Sequence, residues 1–262
     1  MDTSVLFSLE GRVALVTGGS RGLGRTIAEG YLAQGAKVYI SSRKADQCQA
    51  TAQELGPRCI ALPADVSTVE GARDLATAFS EHETKLDILV NNAGVAWGAD
   101  FETFPEQGWD KVFNTNVKAP FFLTQALYRN LKAAASLSRP AKVIFVGSID
   151  GLRVSPWETY SYQASKAAIH HLMRRVAARL IRDDIVASAI APGAFPSDMN
   201  RAARDRSEDV RGSIPAGRVG APEDIAAVAI FLASRAGDYV VGETLAVDGG
   251  IVFANPQAMV EP

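Results

Sequence analysis

A glycine-rich segment near the start of the chain, residues 17–24 with the sequence TGGSRGLG, strongly limits the folds that are possible. It follows an apolar run at residues 13–16, which predicts a buried strand, and precedes a helical pattern at residues 26–32. Glycines let the backbone turn tightly and approach a pyrophosphate, and the helix N-terminus then offers N–H groups and partial positive charge. This order indicates a dinucleotide site, although the spacing Gly-x-x-x-Gly-x-Gly differs from the common fingerprint.

Apolar runs alternate with helical patterns along the rest of the chain. The seven strand-like runs are residues 13–16, 37–41, 58–63, 86–91, 142–147, 186–191 and 244–247, and helical patterns between them include 45–55, 69–82 and 162–182. We therefore predict an α/β fold with one Rossmann-like, doubly wound parallel sheet of about seven strands and helices on both faces. Because no linker or internal repeat interrupts the 262 residues, we expect a single domain spanning 1–262.

Tyr162 and Lys166 are separated by one helical turn, so a helix places both side chains on one face. A free phenol has a pKa of about 10, and a neighbouring ammonium favours the phenolate and lowers that pKa. Ser148 follows a predicted strand, and its hydroxyl is suited to hold a carbonyl against the same phenol. Together the three side chains predict a site that moves a proton to or from an alcohol oxygen.

These motifs resemble those of the short-chain dehydrogenase/reductase family over nearly the whole chain, from about Gly11 to Gly250. The further matches are Asp65-Val66, Asn91 to Gly94, Asn116, Pro192-Gly193 and Asp248-Gly249-Gly250. Within the family the chain is most similar to 3-ketoacyl reductases, including the rhamnolipid-type branch. The resemblance implies a Rossmann-like catalytic domain whose substrate lid lies around residues 195–215.

The resemblance also implies a role for each catalytic residue. Tyr162 gives its proton to the developing alkoxide while NADPH delivers hydride to the carbonyl carbon, and Ser148 donates a hydrogen bond to the same oxygen. Lys166 is expected to lower the pKa of the phenol and to hold the nicotinamide ribose. Asn116 is expected to support a water relay that reprotonates the site.

A second set of residues is implied to contact the dinucleotide. The set consists of Gly18, Ser20, Arg21, Gly22, Leu23, Gly24, Ser42, Arg43, Asp65, Val66, Asn92, Ala93, Gly94, Tyr162, Lys166, Pro192, Gly193 and Phe195. Asp65 is expected at the adenine edge, and Pro192 and Gly193 at the nicotinamide. As an alternative, Asp65 caps the helix that follows, a role that Ser67 fits better.

The end of the second strand bears on the choice between NAD and NADP. Enzymes that prefer NAD usually carry an acid there, which binds the ribose 2′-hydroxyl. Here the strand ends in Ser41, Ser42 and Arg43, and Arg21 supplies a second cation inside the glycine turn. Because guanidinium groups suit phosphate geometry, we predict NADP(H); a solvated loop charge is the alternative for Arg43.

The predicted activity is an NADPH-dependent reduction of a 3-ketoacyl-type ketone to a secondary alcohol. The alternatives are an NAD(P)-dependent alcohol, sugar or steroid dehydrogenase, and a cofactor-sensing protein without catalysis, although such proteins usually lose the tyrosine or lysine. Trp97, Trp157 and Phe195, with Met199 in the predicted lid, are candidates to line an apolar substrate pocket.

Composition excludes several other classes of function. A net charge of −2 with interspersed signs attracts neither nucleic acid nor an anionic membrane, and no apolar run approaches the ~20 residues that span a bilayer. The N-terminal segment has an early acid and no basic stretch, and the two cysteines show no metal spacing, so we expect a cytoplasmic protein without a metal.

The catalytic helix has small residues on one side, namely Ala164, Ala167 and Ala168. Together with the family resemblance, this small surface predicts a homo-oligomer, a tetramer or dimer. Packing of this side against the sheet is the alternative.

Overall fold

Seven parallel strands form one sheet in a computed structural model that describes residues 3–197, 200–205 and 207–254. The strands are β1 Val13–Thr17, β2 Lys37–Ser41, β3 Cys59–Ala61, β4 Ile88–Asn91, β5 Ala141–Val146, β6 Ile185–Pro192 and β7 Thr244–Val247. Their order across the sheet is β3-β2-β1-β4-β5-β6-β7. The predicted seven-stranded parallel sheet is thereby confirmed, with β2 and β7 at the predicted bounds and β3 shorter than predicted.

The crossovers between these strands are mostly helical. The α-helices are α1 Thr3–Phe7, α2 Gly22–Ala33, α3 Ala45–Leu55, α4 Val69–His82, α5 Glu106–Phe113, α6 Ala119–Ala126, α7 Tyr128–Ala134, α8 Tyr160–Leu180, α9 Arg201–Asp205, α10 Ser207–Arg211 and α11 Pro222–Ala233. Helices α3 and α4 have the predicted bounds, and α8 begins and ends two residues before the predicted range. Among the described residues, no helix is both long enough and apolar enough to traverse a bilayer.

Apolar side chains alternate between the two faces of the sheet, so both faces are covered. In β1, Leu15 faces a core that includes Phe79 of α4 and Met173 of α8. Its neighbours Ala14 and Val16 face a second core, built with α2, α3 and α11. Because parallel strands are buried on both faces, they are mostly apolar; β5 and β6 are buried at every residue, and Lys142 and Ser188 are their polar exceptions.

The direction of the crossovers reverses between β1 and β4, and this reversal opens a crevice at the carboxyl ends of the strands. Thr17, the last residue of β1, holds the two sides of the crevice together. Its Oγ1 donates to the Val90 carbonyl at 3.2 Å and accepts from the N–H groups of Asn92 and Ala93, each at 3.0 Å. The loop after β4 is thus fixed against the glycine turn after β1.

The cap of α4 differs from the alternatives that the sequence suggested. Thr68 Oγ1 accepts a hydrogen bond from the Gly71 N–H, so Thr68 is the N-cap, and neither Asp65 nor Ser67 has that role. Asp65 instead accepts from the Ser67 N–H at 3.0 Å within the preceding turn. The Asp65 carboxyl therefore stabilises the loop that follows β3.

A buried ion pair joins β5 to the loop before β7, and its disruption is expected to destabilise the fold. Lys142 is 1% exposed, and its Nζ lies 2.6 Å from Asp238 Oδ1 in an alignment that forms no hydrogen bond. Asp238→Ala leaves the ammonium buried and unpaired, which should lower the free energy of unfolding by about 3 kcal/mol. Urea denaturation at neutral pH measures this loss. The double variant Lys142→Met/Asp238→Ala should recover most of it, and an unchanged stability of Asp238→Ala would contradict the prediction.

Candidate active site

A cavity of about 1190 Å³ opens at the carboxyl ends of the strands, between the start of α2 and the ends of β5 and β6. Every residue predicted to contact the dinucleotide lines it: Gly18, Ser20, Arg21, Gly22, Leu23, Gly24, Ser42, Arg43, Asp65, Val66, Asn92, Ala93, Gly94, Tyr162, Lys166, Pro192, Gly193 and Phe195. Ser148 lines the same cavity, whereas Asn116 does not. The fold therefore brings together residues from six of the seven strand ends and from α8.

The glycine turn has a backbone that larger residues would not tolerate. Gly18 and Gly22 have φ angles of 66° and 53°, and a Cβ at Gly24 would lie 2.3 Å from the Gly18 carbonyl oxygen. A Cβ at Gly22 would meet nothing closer than 3.9 Å, so this residue leaves space open toward the cavity. No side chain caps α2, because Arg21 at the N-cap makes no such bond. An uncapped helix start beside an open backbone surface fits a pyrophosphate.

The part of the cavity beside the end of β2 is polar and positively charged. Ser42 and Arg43 follow β2, no acid occurs at the end of that strand, and Arg21 lines the same cavity. Arg43 is exposed, and no hydrogen bond or ion pair joins its guanidinium to another described residue. This arrangement fits a 2′-phosphate and lacks the carboxylate that would repel one.

Ser148, Tyr162 and Lys166 converge at the other end of the cavity. Ser148 follows β5, and its Oγ accepts a hydrogen bond from the Asp150 N–H at 3.1 Å, so the hydroxyl hydrogen remains available for donation. Lys166 is 5% exposed and donates from Nζ to the Val146 carbonyl at 2.9 Å. The same Nζ lies 5.5 Å from the centroid of the Tyr162 ring. The predicted meeting of these side chains is present in the structure.

The pKa of Tyr162 differs from the expectation. Removal from water raises the pKa of Tyr162 to about 12, a hydrogen bond with Ser148 acts against this rise, and the charge of Asp150 adds to it. The expected lowering of this pKa by Lys166 is wrong for the protein alone, because loss of solvation of the phenolate dominates. Burial also lowers the pKa of Lys166 to about 8, opposed by the charge of Asp150. The phenol is therefore protonated at neutral pH.

Asn116 lies in a π-helical turn, Asn114–Lys118, and its amide is committed to the protein. Oδ1 accepts from the Val95 N–H at 2.9 Å, and Nδ2 donates to the Val95 carbonyl at 2.9 Å and to Ser165 Oγ at 3.0 Å. Asn116 thus connects the loop after β4 to α8 just behind the cavity. Both Nδ2 hydrogens of Asn116 already have protein partners. The expected part of Asn116 in a water relay remains a prediction.

His170 adjoins this site, although none of the sequence motifs includes it. It is 2% exposed, and its Nε2 accepts a 3.4 Å hydrogen bond from the Ser148 N–H. A Cβ at Gly147 would lie 1.8 Å from the same nitrogen, so glycine is required there. His170 is one helical turn beyond Lys166 and on the same helix face, which is the signal that identifies it in the sequence.

The substrate end of the cavity is only partly as expected. Trp157 lines it and is 65% exposed, and Phe195 lines it while remaining 4% exposed. Trp97 does not line it, because its ring packs on Gly108 and beneath Lys111, whose Nζ lies 5.4 Å from the ring. Of the predicted lid, Met199 lies outside the described residues, and α9 and α10 form the described part together with the segments beside them.

Comparison with known proteins agrees with this geometry. A family model described as enoyl-(acyl carrier protein) reductase matches residues 18–252. The rhamnolipids biosynthesis 3-oxoacyl-[acyl-carrier-protein] reductase of Pseudomonas aeruginosa is 47% identical over 249 residues, which cover 93% of this chain and 97% of that protein. The 2-dehydro-3-deoxy-D-gluconate 5-dehydrogenase of Dickeya dadantii is 37% identical over 252 residues, covering 93% and 96%.

A solved structure is similar over the same extent. The Pseudomonas aeruginosa RhlG/NADP active-site complex superposes with a TM-score of 0.92 at 47% identity, covering 95% of this chain and 99% of that one. The similarity includes the strands that end at the cavity and the helix that bears Tyr162 and Lys166, because little of either chain lies outside the match.

Burial of His170 predicts a specific dependence of stability on pH. Loss of solvation lowers the pKa of His170 from 6.5 to about 4, so between these values the unfolded chain binds a proton that the folded chain does not. Stability should therefore fall as pH decreases through this window, by about 3 kcal/mol at most. Urea denaturation of the wild type and of His170→Gln at pH 7 and pH 4.5 should show a smaller loss in the variant.

The neighbouring histidine supplies the control. His171 is exposed, so His171→Gln should keep the wild-type dependence on pH. An equal loss of stability in wild type and His170→Gln would contradict the assignment to His170.

Proposed function

The chain belongs to the short-chain dehydrogenase/reductase family, and from its site we propose that it reduces 3-ketoacyl-type ketones to secondary alcohols with NADPH. The observation that supports this proposal most directly is the convergence of Ser148, Tyr162 and Lys166 in the cavity that also contains the glycine turn. The reductase from Pseudomonas aeruginosa, which is similar over nearly the whole chain, is named for 3-oxoacyl substrates on an acyl carrier protein.

NADP(H) is the cofactor that these residues fit. Gly22 and the start of α2 would hold the pyrophosphate, and Ser42, Arg43 and Arg21 would hold the 2′-phosphate. The similar solved structure is described as an NADP complex, which supports the same choice. When bound, NADPH supplies the hydride for the carbonyl carbon.

The side chains of the site handle the proton and the charge at the carbonyl oxygen. Tyr162, whose pKa is raised to about 12, holds a proton at neutral pH and gives it to that oxygen. Ser148 already accepts from the Asp150 N–H, so it donates its own hydrogen to the same oxygen. The Lys166 ammonium, fixed by the Val146 carbonyl, stabilises the negative charge that Tyr162 acquires when it loses the proton.

The oxidative alternative uses the same side chains but needs the phenolate. A sugar-acid dehydrogenase is also similar to the chain, at 37% identity. The protonated state of Tyr162 in the protein alone is the state that reduction requires. A cofactor sensor without catalysis is disfavoured because the tyrosine, serine and lysine are all present and converge.

We also propose that residues 1–262 form one catalytic domain, that residues 195–215 are its substrate lid, and that the protein is a cytoplasmic homotetramer.

Two separate surfaces of the described residues support the tetramer. Tyr239 is fully exposed beside the edge strand β7, all of whose residues are partly exposed, and Trp109 and Phe121 are exposed on α5 and α6. Two self-complementary surfaces generate two two-fold axes, which close a tetramer. Sedimentation as a monomer at micromolar concentration would contradict this assembly.

Replacement of the proton donor tests the proposed reaction. Tyr162→Phe should lower kcat for NADPH-dependent reduction of a β-ketoacyl thioester by about three orders of magnitude, because Tyr162 is the group that transfers its proton to the oxygen, whereas Ser148 only donates a hydrogen bond to it. The NADPH Kd should remain nearly unchanged. Tyr160→Phe is the matched control, since Tyr160 bonds Glu158 at the start of α8 and does not line the cavity. Retained turnover in Tyr162→Phe would refute its role.

Replacement of Arg43 tests the cofactor. Arg43→Ala should lower the ratio of kcat/KM for NADPH to that for NADH by about tenfold to a hundredfold, because a charge-assisted hydrogen bond to phosphate is lost. Arg25→Ala is the control: Arg25 pairs with Glu29 and Glu54 and does not line the cavity. A wild-type protein that uses both cofactors equally would contradict the NADP assignment.

A further inference from the structure

A carboxylate lies beside the proposed proton donor, and neither the fold nor the proposed proton transfer accounts for it. Asp150 belongs to the short 3₁₀ turn Ile149–Gly151 and lines the cavity. Its backbone N–H bonds Ser148, but its side chain forms no hydrogen bond or ion pair with another described residue. A half-buried carboxylate that lines a cleft without a protein partner is placed to act on a ligand.

The charge of Asp150 reaches the reacting groups. Loss of solvation raises the pKa of its carboxyl, and the charges of Arg153 and Lys166 act in the opposite direction. In turn, burial raises the pKa of Tyr162 and lowers that of Lys166, and the Asp150 charge adds to the first shift and opposes the second. A ketone whose oxygen reaches Tyr162 therefore passes close to a negative charge.

Other charges around this end of the cavity are less well placed to cancel it. Arg153 is exposed at the rim, and Arg204 and Asp209 are exposed on the lid helices α9 and α10. Lys166 is directed to the Val146 carbonyl beneath the Tyr162 ring. Asp150 is therefore a half-buried charge that lines the cavity two residues from Ser148, close to the space in which the group beside the ketone must lie.

We propose that Asp150 is a specificity-determining residue that rejects ketones bearing a free carboxylate close to the carbonyl and admits neutral esters and thioesters. Two like charges in a partly desolvated cavity repel more strongly than in water, and the substrate carboxylate would also lose hydration there. The inference rests on the proposed function and deepens it.

Ethyl acetoacetate and acetoacetate form a matched pair for the test, because they differ at this position chiefly in charge. The quantity measured is the ratio of kcat/KM for acetoacetate to that for the ester, with NADPH. Asp150→Asn should raise this ratio by about tenfold or more, the order expected for removal of one nearby charge. Arg153→Gln should lower it, because the opposing cation is lost.

Asp74→Asn is the matched control. It makes the same carboxylate-to-amide change at an exposed residue of α4 that does not line the cavity, and it should leave the ratio at the wild-type value. If Asp150→Asn shows the wild-type ratio within about twofold, or if Asp74→Asn changes it as strongly, the inference is overturned. Asp150→Ser serves as the second variant if the amide does not fold, and NADPH binding verifies the fold of each.

The outcome is separable from that of the proposed function. If the wild type reduces neither compound, the proposed function is wrong, and the role of Asp150 is decided by binding. The fluorescence of bound NADPH then reports the Kd of each compound, and Asp150→Asn must tighten acetoacetate relative to the ester by about tenfold. Equal Kd ratios in wild type and variant would overturn the inference in that case also.

Discussion

The hydrogen bond from the Lys166 ammonium to the Val146 carbonyl is the contact on which the arrangement of the site depends. It joins α8 to the last residue of β5 at 2.9 Å, in a position where the lysine is 5% exposed. A cation buried to this extent needs a polar partner, and the end of a strand supplies a carbonyl that no neighbouring strand needs. Ser148 follows Val146 by two residues, and Tyr162 lies on α8 with Lys166. This one bond therefore places Ser148 beside Tyr162.

Small residues allow α8 to approach the strand end closely enough for that bond. A Cβ at Gly151 would lie 2.4 Å from the Lys166 carbonyl carbon, and one at Gly147 would lie 1.8 Å from His170 Nε2. Asn116 holds α8 from the other side through Ser165. The helix is therefore fixed by contacts on both sides of Lys166, and the reacting groups occupy positions that rigid elements determine.

Much of the fold was predictable because period and burial are local properties of the sequence. The strands Lys37–Ser41 and Thr244–Val247 and the helices Ala45–Leu55 and Val69–His82 have the bounds that their patterns predict. The residues that line the cavity were predictable from the family resemblance, and most of them follow strands whose carboxyl ends meet at one edge of the sheet.

Several features of the site could not be predicted from the sequence, because they depend on residues that are neighbours only in the folded chain. The π-helical turn that directs Asn116 to Val95 has no marker in the sequence, and Trp97 turns from the cavity because Gly108 offers its ring a flat surface. The pKa of Tyr162 is raised and not lowered as expected, because removal of the phenol from water is the largest influence on it. Asp150 could not be identified from the sequence, because only the folded chain shows that its carboxylate has no partner among the described residues.

The most direct test of the account is a crystal structure of the protein with NADP and a bound ketone or its product alcohol. The account predicts that Tyr162 Oη and Ser148 Oγ both lie within about 2.6–3.2 Å of the substrate oxygen. We also expect Lys166 Nζ to keep its bond to the Val146 carbonyl in that complex. A substrate oxygen held elsewhere, with the phenol turned away from the nicotinamide, would contradict the account.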